Sequence, residues 1–463
     1  MKYFLIILAA LLLLLSCDSS TSPEKNSISG LVTLENSDDY SGVTVRLYKI
    51  DDYPDINLFD HRFNDYVYEV TTDSNGEYEI FYNGNINNYV IVFEKEGYGY
   101  KYLNEYNVTY NIDLYQEVTV PEIITGEYVF ESGRHYIFKQ NTIFLENSSI
   151  TLNQGTFLRI AENKRIDIYG SIREIYKGTI LVTKITSLYA GEADGLYFSN
   201  TESVNLTNVV SSNLRYGINF EYCNNISINF TKMFNNTSKG LLFSHCSNVE
   251  ISNYYSQNIN NTPPNGNFYS SEGAIQVINS ANITISNLEI NQCQVGIKIN
   301  NSQLGVLSNL NIHGCYYGLE LYESEIDVTE SFFYNNNRMD MRICGEGTPK
   351  ITYNIFNSDF GLKIGLDTNY DYINSSPIIN NNDFYCQNIA LKQYGFNRYD
   401  IDAIHNYFNT TSISEINDKI VDGSDLVESD TFFAITGEFI IEPFETVPNS
   451  IFPSNNKKKG IRR

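Results

Sequence analysis

Basic residues are scarce in this chain: 31 lysines and arginines stand against 55 aspartates and glutamates, which gives a formal net charge of −24. Such acidity disfavours nucleic acid and anionic headgroups as partners of the folded part. It also disfavours a polysaccharide lyase, because that enzyme needs a cation or basic group to neutralise the carboxylate of a uronate. No Asp-x-Asp-x-Asp-Gly loop and no Cys–His set with zinc spacing occurs, so we predict no metal site and no cofactor.

Helical periodicity and long apolar runs are also lacking. Between residues 195 and 361, no window carries apolar residues at helical spacing without Asn, Gly or β-branched residues interrupting it, which excludes helical repeats. The apolar run from Tyr3 to Leu15 is too short to span a membrane stably. Its position at the start of the chain is typical of an export signal.

What the sequence does contain is a repeat of about 22 residues, in which a small residue precedes alternating apolar residues. The small position is occupied by Gly195, Gly217, Gly240, Ala274, Gly296, Gly318, Asp340 and Gly361. Two further series keep step with it: Thr201, Cys223, Cys246, Ser280, Ser302, Ser324, and then Asn208, Phe230, Asn253, Asn287, Asn309, Ser331, continued by Asn354, Asn382 and Asn406. Such a period indicates a solenoid, whose units bury their apolar faces against one another.

The residues within each repeat indicate which solenoid this is. Apolar and polar residues alternate, for example in residues 217–220 and 226–228, and a period of two is typical of strands. Three short strands per turn predict an all-β, right-handed parallel β-helix with coils about 4.8 Å apart. Asn tolerates left-handed backbone and can bond to the Asn of the next coil, which predicts Asn ladders. The alternative is that A/T-rich codons enrich Asn without structural demand.

One step of the repeat is 34 residues long, and its additional residues fall near Thr262 to Glu272. We interpret them as an insertion loop at a corner. Insertions in solenoids often lie on the binding face. The alternative is a tolerated surface insertion with no role, which would show the same sequence pattern.

The segment Leu14-Leu15-Ser16-Cys17 resembles the lipobox of bacterial lipoproteins. The resemblance implies a signal peptide at residues 1–16 and a palmitate-type acyl anchor on Cys17, which would hold the protein on a bacterial membrane. The alternative is an ordinary secretory signal with an incidental cysteine. Residues 17–27 are then a polar tether with nothing to bury.

Residues 28–117 resemble the carboxypeptidase regulatory-like domain, a transthyretin-like β-sandwich. The resemblance rests on the alternating segment around Gly30, on residues 42–45, on the turn sequence at residues 72–78, and on residues 97–98. It implies no catalytic residues and a role as a spacer or adhesion module.

Residues 118–445 resemble β-helix proteins of the pectate-lyase-like superfamily, from the opening segment at residues 140–172 to a closing coil at residues 402–408. The stretch 413–444 resembles the cap that follows such a coil, where an open β edge would invite aggregation. Residues 446–463 form a basic tail that we expect to be disordered. Many members of the superfamily are polysaccharide lyases or hydrolases, but the Trp-Ile-Asp-His, Arg-x-Pro-x-x-Arg and Gly-His-Gly segments of such enzymes are absent.

Asp400, Asp402 and His405 form the best acid–base cluster in the sequence. The two aspartates would face the same side of a strand, so a paired-carboxylate site is geometrically possible. Because the stretch coincides with the closing coil, the alternative is that its polar groups cap that coil. We assign no other catalytic residue.

The six cysteines beyond Cys17 are predicted to be reduced and buried. Cys223 and Cys246 are one coil apart at matching positions, as are Cys293 and Cys315. Parallel side chains in adjacent coils hold their Cβ atoms about 4.8 Å apart, farther than the ~3.8 Å that a disulfide prefers.

The sequence therefore favours a membrane-anchored envelope lipoprotein, at the outer-membrane surface or in the periplasm, that serves as a binding or adhesion scaffold. Glycan is the leading ligand, because outward rows drawn from the 37 tyrosines can stack on sugar rings. The alternatives are a polysaccharide lyase or glycoside hydrolase, and a structural envelope protein with no small ligand. The expected partners are membrane lipid through Cys17 and a glycan, and the oligomeric state stays open.

Overall fold

The computed structural model describes residues 26–49, 64–103, 109–175, 182–188, 193–260, 272–365, 375–393, 399–422 and 437–449. The signal segment, Cys17, nearly all of the insertion loop and the basic end of the tail lie outside these residues. The chain divides into two compact units, Met1–Glu117 and Val118–Arg463. Among the described residues, no helix has the length and apolar character needed to cross a membrane.

The first unit is built from two small sheets. Its strands are β1 (Asn26–Leu34), β2 (Thr44–Lys49), β3 (Tyr66–Thr71), β4 (Glu77–Tyr82), β5 (Tyr89–Glu94), β6 (Lys101–Leu103) and β7 (Thr109–Leu114), with a 3-10 turn at Ile86–Asn88. One sheet has the order β4-β1-β7 and the other the order β3-β2-β5-β6. Strand β1 runs antiparallel to β4 and parallel to β7, whereas the second sheet is antiparallel throughout.

Buried side chains of both sheets form one apolar cluster, in which Val32 and Ile80 of one sheet accompany Leu47 and Phe93 of the other. The alternation of buried and exposed residues along β4 produces this one-sided burial. Gly76, in the turn before β4, has a φ of +83°, and a Cβ there would lie 2.1 Å from the carbonyl oxygen of Val32. A side chain at this position would therefore separate β1 from the turn.

The second unit is a parallel β-helix. Its strands before the insertion are β8 (Val118–Thr119), β9 (Ile123–Ile124), β10 (Glu127–Phe130), β11 (His135–Phe138), β12 (Thr142–Phe144), β13 (Ser149–Asn153), β14 (Phe157–Ile160), β15 (Arg165–Ile168), β16 (Ser171–Ile175), β17 (Thr183–Ser187), β18 (Gly195–Ser199), β19 (Val204–Thr207), β20 (Val209–Ser212), β21 (Ile218–Glu221), β22 (Asn224–Asn229), β23 (Lys232–Phe234), β24 (Leu241–Ser244) and β25 (Ser247–Gln257).

After the insertion come β26 (Gly273–Ile278), β27 (Ala281–Asn291), β28 (Val295–Asn300), β29 (Gln303–His313), β30 (Tyr317–Tyr322), β31 (Glu325–Thr329), β32 (Phe332–Tyr334), β33 (Met339–Cys344), β34 (Lys350–Thr352), β35 (Ile355–Asn357), β36 (Phe360–Ile364), β37 (Ile378–Asn380), β38 (Asp383–Phe384), β39 (Ile389–Gln393), β40 (Ile401–Asp402), the helix α1 (Ile413–Asn417), β41 (Ile420–Val421) and β42 (Phe439–Ile440).

Each coil contributes one strand to a 13-stranded sheet and two strand segments to a 20-stranded sheet, and all pairs within both sheets are parallel. In β25, β27 and β29 the two segments form one bent strand of 11 residues. Three strand segments per coil confirm the prediction of a parallel β-helix with three strands per coil. Because crossover connections between parallel strands are right-handed in nearly all proteins, we expect this β-helix to be right-handed.

The interior consists of like residues stacked coil upon coil. Phe198, Phe220 and Phe243 stack with centroid distances of 5.0 and 4.9 Å and interplanar angles of 10° and 4°. A second stack joins Phe333, Phe356, Phe384 and Phe408 at 4.9–5.4 Å. The ring spacing is close to the distance between adjacent strands, so parallel pairing imposes the stacks.

Asn residues occupy the corners, as predicted. Asn225, Asn248 and Asn282 all have a φ between 50° and 57°. The Nδ2 of Asn248 donates to Oδ1 of Asn225, and Asn282 donates to Asn248 in the same way, both at 3.0 Å. Asn tolerates this left-handed backbone and extends the ladder, which gives a structural reason for Asn here in addition to codon bias. The next coil has Leu304 at the same corner, with a φ of 59°.

The third series of the sequence, however, combines two different rows. Up to Asn309 its members are left-handed corner residues, but beyond that coil the corner falls on Glu330 and Tyr353, one residue earlier than expected. The cause is a register shift between Gln303 and Gly305, which skips Leu304 when β29 pairs with β31. Ser331, predicted as a corner residue, therefore lies inside the helix.

The displaced members of the series form a buried hydrogen-bonded ladder of their own. The Oδ1 of Asn354 accepts the backbone N–H of Ser331 at 3.0 Å, and the Oδ1 of Asn382 accepts that of Asn354 at 2.9 Å. The Oδ1 of Asn406 accepts the N–H of Asn382 at 2.8 Å. These side chains satisfy donors that the corner leaves without a strand partner.

The cysteine–serine row has the same construction. The Oγ of Ser280 accepts the N–H of Cys246 at 3.0 Å, and the thiol of Cys246 faces the carbonyl oxygens of Phe220 and Ser244. All six cysteines beyond Cys17 are buried. Burial and carbonyl partners give the thiols a structural role.

Candidate functional site

The acid–base candidates predicted from the sequence lie where the last coil meets residues 437–449. Asp400 is exposed, and its Oδ1 accepts the backbone N–H of Glu438 at 3.1 Å. Asp402 belongs to β40, which pairs with β42, and its Oδ2 accepts a hydrogen bond from Nδ2 of Asn380 at 3.4 Å. Of the two aspartates only Asp402 lies in a strand.

His405 also bonds to the C-terminal segment. Its Nδ1 lies 3.0 Å from Oε1 of Glu445, and its backbone N–H donates to the carbonyl of Pro443 at 2.6 Å. Nδ2 of Asn449 donates to the carbonyl of His405 at 2.8 Å. These hydrogen bonds hold residues 437–449 against the last coil. This arrangement is the one expected if the polar groups cap the coil.

A second group of ionisable residues lies on the outward side of the 13-stranded sheet. Lys298, Glu320 and Arg342 are successive partners in β28, β30 and β33, and all are buried. Arg342 forms an ion pair with Glu320, and its guanidinium lies 4.5 Å from the ring centroid of Tyr317. Burial lowers the pKa of Lys298, while the charge of Glu320 opposes that shift. Glu320 thus lies between two cations on neighbouring coils, and the buried charges compensate one another.

The most distinctive outward surface lies on the second segment of the 20-stranded sheet, after the insertion corner. We call it the aromatic face. It comprises two parallel rows on four successive coils: Tyr255, Glu289, Asn311 and Phe332 in one row, and Gln257, Asn291, His313 and Tyr334 in the other.

The rings of the aromatic face are packed against one another. Tyr334 stacks on His313 with a centroid distance of 4.6 Å and on Phe332 with a distance of 4.5 Å. All three residues are half-buried, so part of each ring remains accessible. They form a continuous apolar wall.

The polar groups of the aromatic face lie beside this wall. The Nε2 of His313 lies 3.5 Å from Oε1 of Glu289. Burial raises the pKa of Tyr334, and the nearby charge of Glu289 raises it further. One coil earlier, the hydroxyl of Tyr255 donates to Oε1 of Gln257 at 2.8 Å. This hydroxyl also accepts a hydrogen bond from Nδ2 of Asn291 at 3.3 Å. The Glu289 carboxylate thus lies beside the ring stack, and the Tyr255 phenol lies two coils before His313.

The spacing from the corner residues is a sequence signal for this face. In β25, β27 and β29 the outward residue lies two positions after the corner residues Asn253, Asn287 and Asn309. Counting two residues on from each corner gives Tyr255, Glu289 and Asn311. The register shift at Leu304 then displaces Phe332 by one residue. The position of the shift could not be read from the sequence.

The fold and the face define a parallel β-helix protein with a polar, aromatic outer surface. Residues 166–359 match the family model described as periplasmic copper-binding protein (NosD). A comparison with curated proteins gives no match.

Among solved structures, the chain shows a distant likeness to two carbohydrate-active enzymes. The alginate lyase from Paenibacillus sp. str. FPU-7 is 13% identical, with 56% of this chain and 91% of that chain covered and a TM-score of 0.27. The catalytic domain of a GH87 alpha-1,3-glucanase in complex with nigerose is 8% identical, with 86% and 88% covered and a TM-score of 0.29. Likenesses this distant do not bear on activity.

The described part of the chain contains no set of side chains that could coordinate the copper named in the family description. No three His, Cys, Asp or Glu side chains converge there as a metal site would require. His135 stacks on Phe157, His245 stacks on Tyr222, and the buried thiols face backbone carbonyls. The described residues therefore do not fit a copper centre.

Proposed function

We propose that this protein is an exported β-helix scaffold that binds a glycan on the aromatic face. The observation that supports the proposal is the grouping of the ring stack of His313, Phe332 and Tyr334 with the carboxylate of Glu289. Sugars present apolar C–H faces and a rim of hydroxyls, so aromatic rings beside carboxylate and amide groups match both parts. Glycan binding was expected from the tyrosine content, and the proposal assigns it to this surface.

Export and anchoring belong to the same proposal. The word periplasmic in the description of the matched family supports a location beyond the inner membrane. We propose that Cys17 carries the lipid and that residues 17–27 separate the folded units from the bilayer. The first unit is proposed to be a transthyretin-like sandwich acting as a spacer, which its two sheets with a common apolar cluster support.

The test uses soluble protein beginning at residue 18, incubated with a panel of insoluble polysaccharides. We expect retention of the protein on at least one polysaccharide and loss of retention in Tyr334→Ala. The matched control is Phe81→Ala, which removes an exposed strand aromatic from the first unit. Equal retention of both variants would contradict the assignment to the aromatic face.

The same incubation separates the alternatives. New reducing or unsaturated ends in the supernatant would identify a polysaccharide-degrading enzyme instead of a scaffold. Neither retention nor products on any polysaccharide would favour a structural envelope protein.

A further inference from the structure

We infer that the aromatic face binds an uncharged, linear oligosaccharide that lies along the axis of the β-helix and spans four coils. The inference rests on the proposed glycan-binding function and adds the charge, the length and the direction of the ligand. It follows from the order of the side chains along the two rows of the face.

The rows run along the axis because strand pairing fixes them. Tyr255 pairs with Glu289, Glu289 with Asn311, and Asn311 with Phe332, each on the next coil. Adjacent strands are about 4.8 Å apart, so the first and last residues of a row are about 14 Å apart. A single sugar ring cannot contact both ends, whereas a linear chain laid along the row does.

The side chains also change in character along the row, in an order that suits a linear oligosaccharide. The phenol of Tyr255 lies at one end and the stack of Phe332, Tyr334 and His313 lies at the other. Between them are the Glu289 carboxylate and the Asn311 amide. Two aromatic ends would hold the outer sugar rings, and the partly exposed Glu289 carboxylate between them would accept hydrogen bonds from hydroxyls of the middle rings.

The charge of the face selects against acidic glycans. Within the four coils the rows contain one carboxylate, Glu289, and no lysine or arginine. The nearest cation in these rows is Lys232, one coil before Tyr255. A uronate or sulfate ester would face Glu289 without a cation to compensate it, on a chain with a net charge of −24. An uncharged glycan meets no such penalty.

The experiment measures affinity by calorimetry for neutral gluco- and manno-oligosaccharides of one to six units, and for oligogalacturonates of the same lengths. For the neutral series that binds, we expect affinity to rise at least tenfold from the disaccharide to about four units and then to level off. Oligogalacturonates of equal length are expected to bind at least tenfold more weakly.

Two variants test the direction of binding. Tyr255→Ala should lower the tetrasaccharide affinity at least fivefold and leave the disaccharide affinity unchanged, because a disaccharide on the ring stack does not reach the Tyr255 coil. Tyr334→Ala should weaken both ligands, and Phe81→Ala neither. Circular dichroism checks that each variant is folded.

The possible failures differ. Two results would contradict binding across four coils while leaving glycan binding in place. One is an affinity that does not depend on oligosaccharide length, and the other is an equal loss of disaccharide and tetrasaccharide affinity in Tyr255→Ala. Tighter binding of oligogalacturonates would overturn the uncharged class. If no oligosaccharide and no polysaccharide binds, the proposed function itself fails, and this inference fails with it.

Discussion

At the scale of single residues, Asp340 departs furthest from its repeat. It occupies the small-residue row between Gly318 and Gly361 and is wholly buried. Its carboxylate accepts hydrogen bonds from Nδ2 of Asn336 at 2.8 Å and from the N–H of Ser358 at 3.1 Å, and it also bonds to the Ser358 hydroxyl. Burial raises the pKa of Asp340 from 3.8 to about 7, although these hydrogen bonds oppose the shift.

This shift predicts a pH dependence of stability. A raised carboxyl pKa means that the folded state holds a proton that the unfolded chain has lost, so the contribution is complete below pH 3.8 and is lost as the pH rises through 7. We expect the free energy of unfolding to fall between pH 4 and 7, with a slope of at most about 1.4 kcal/mol per pH unit from this group. Asp340→Asn should remove that part of the slope in urea unfolding.

The control for this prediction is Asp359→Asn, which changes an exposed aspartate nearby. It should retain the wild-type slope. An unchanged slope in Asp340→Asn would show that Asp340 titrates alike in the folded and unfolded states.

The cysteines make a second prediction at this scale. Four thiols bond to backbone carbonyls instead of to another sulfur: those of Cys223, Cys246, Cys293 and Cys315. We therefore expect six free thiols in protein that begins at residue 18. Titration under denaturing, non-reducing conditions measures the number. Fewer than six would indicate disulfides.

At the scale of elements, the buried Asn ladder closes one corner of the C-terminal coils. Asn382 is its central member: Oδ1 accepts from the N–H and Nδ2 of Asn354, and Nδ2 donates to the carbonyl of Ile351 at 2.7 Å. Asn382→Ala would leave buried donors and an acceptor unpaired, each costing about 1–3 kcal/mol. We expect a loss of roughly 3–5 kcal/mol in the unfolding free energy of the β-helix, measured in urea.

Asn380→Ala is the matched control, because Asn380 lies in the same coil but is only half-buried, with a single 3.4 Å side-chain bond to Asp402. Its substitution should cost less than about 1 kcal/mol. Comparable losses in the two variants would mean that the ladder adds nothing beyond a partly buried hydrogen bond.

The elements also indicate what a sequence can predict for such a fold. Three strands per coil and the Asn corners follow from local periodicity, because parallel stacking repeats the same backbone at each turn. The small-residue row, in contrast, lies within or directly before the strands of the 13-stranded sheet and not at an Asn corner. The shift at Leu304 does not follow, because skipping one residue leaves the 22-residue spacing of Ser302 and Ser324 intact. The same shift hides the last coil of the aromatic face: counting two residues on from each corner gives Tyr255, Glu289 and Asn311, but Phe332 is displaced by one residue from the expected spacing.

The acid–base candidates were found from residue type and alternation, but their contacts depend on where residues 437–449 fold back. Asp400 and His405 bond to Glu438 and Glu445, some 40 residues away along the chain. Local patterns contain no information about such a distant partner.

At the scale of the whole molecule, the anchor makes a prediction of its own. Cells that express the full chain should incorporate labelled palmitate into it, and the protein should sediment with membranes. Cys17→Ala should abolish the label and release the protein from the membrane pellet, because an acyl chain supplies about 0.8 kcal/mol per buried CH₂. Labelling that persists in Cys17→Ala would contradict lipidation at this cysteine.

The parallel pairing of the coils has a mechanical consequence. Hydrogen bonds between neighbouring strands, such as those joining β27 to β29, point along the axis of the β-helix. A tensile load applied at the two ends of this unit would therefore pull directly on the bonds of one coil at a time, and the unit would peel open progressively. A ligand bound across four coils would link those coils to one another. It would therefore raise the force needed to open the part of the solenoid to which it is bound.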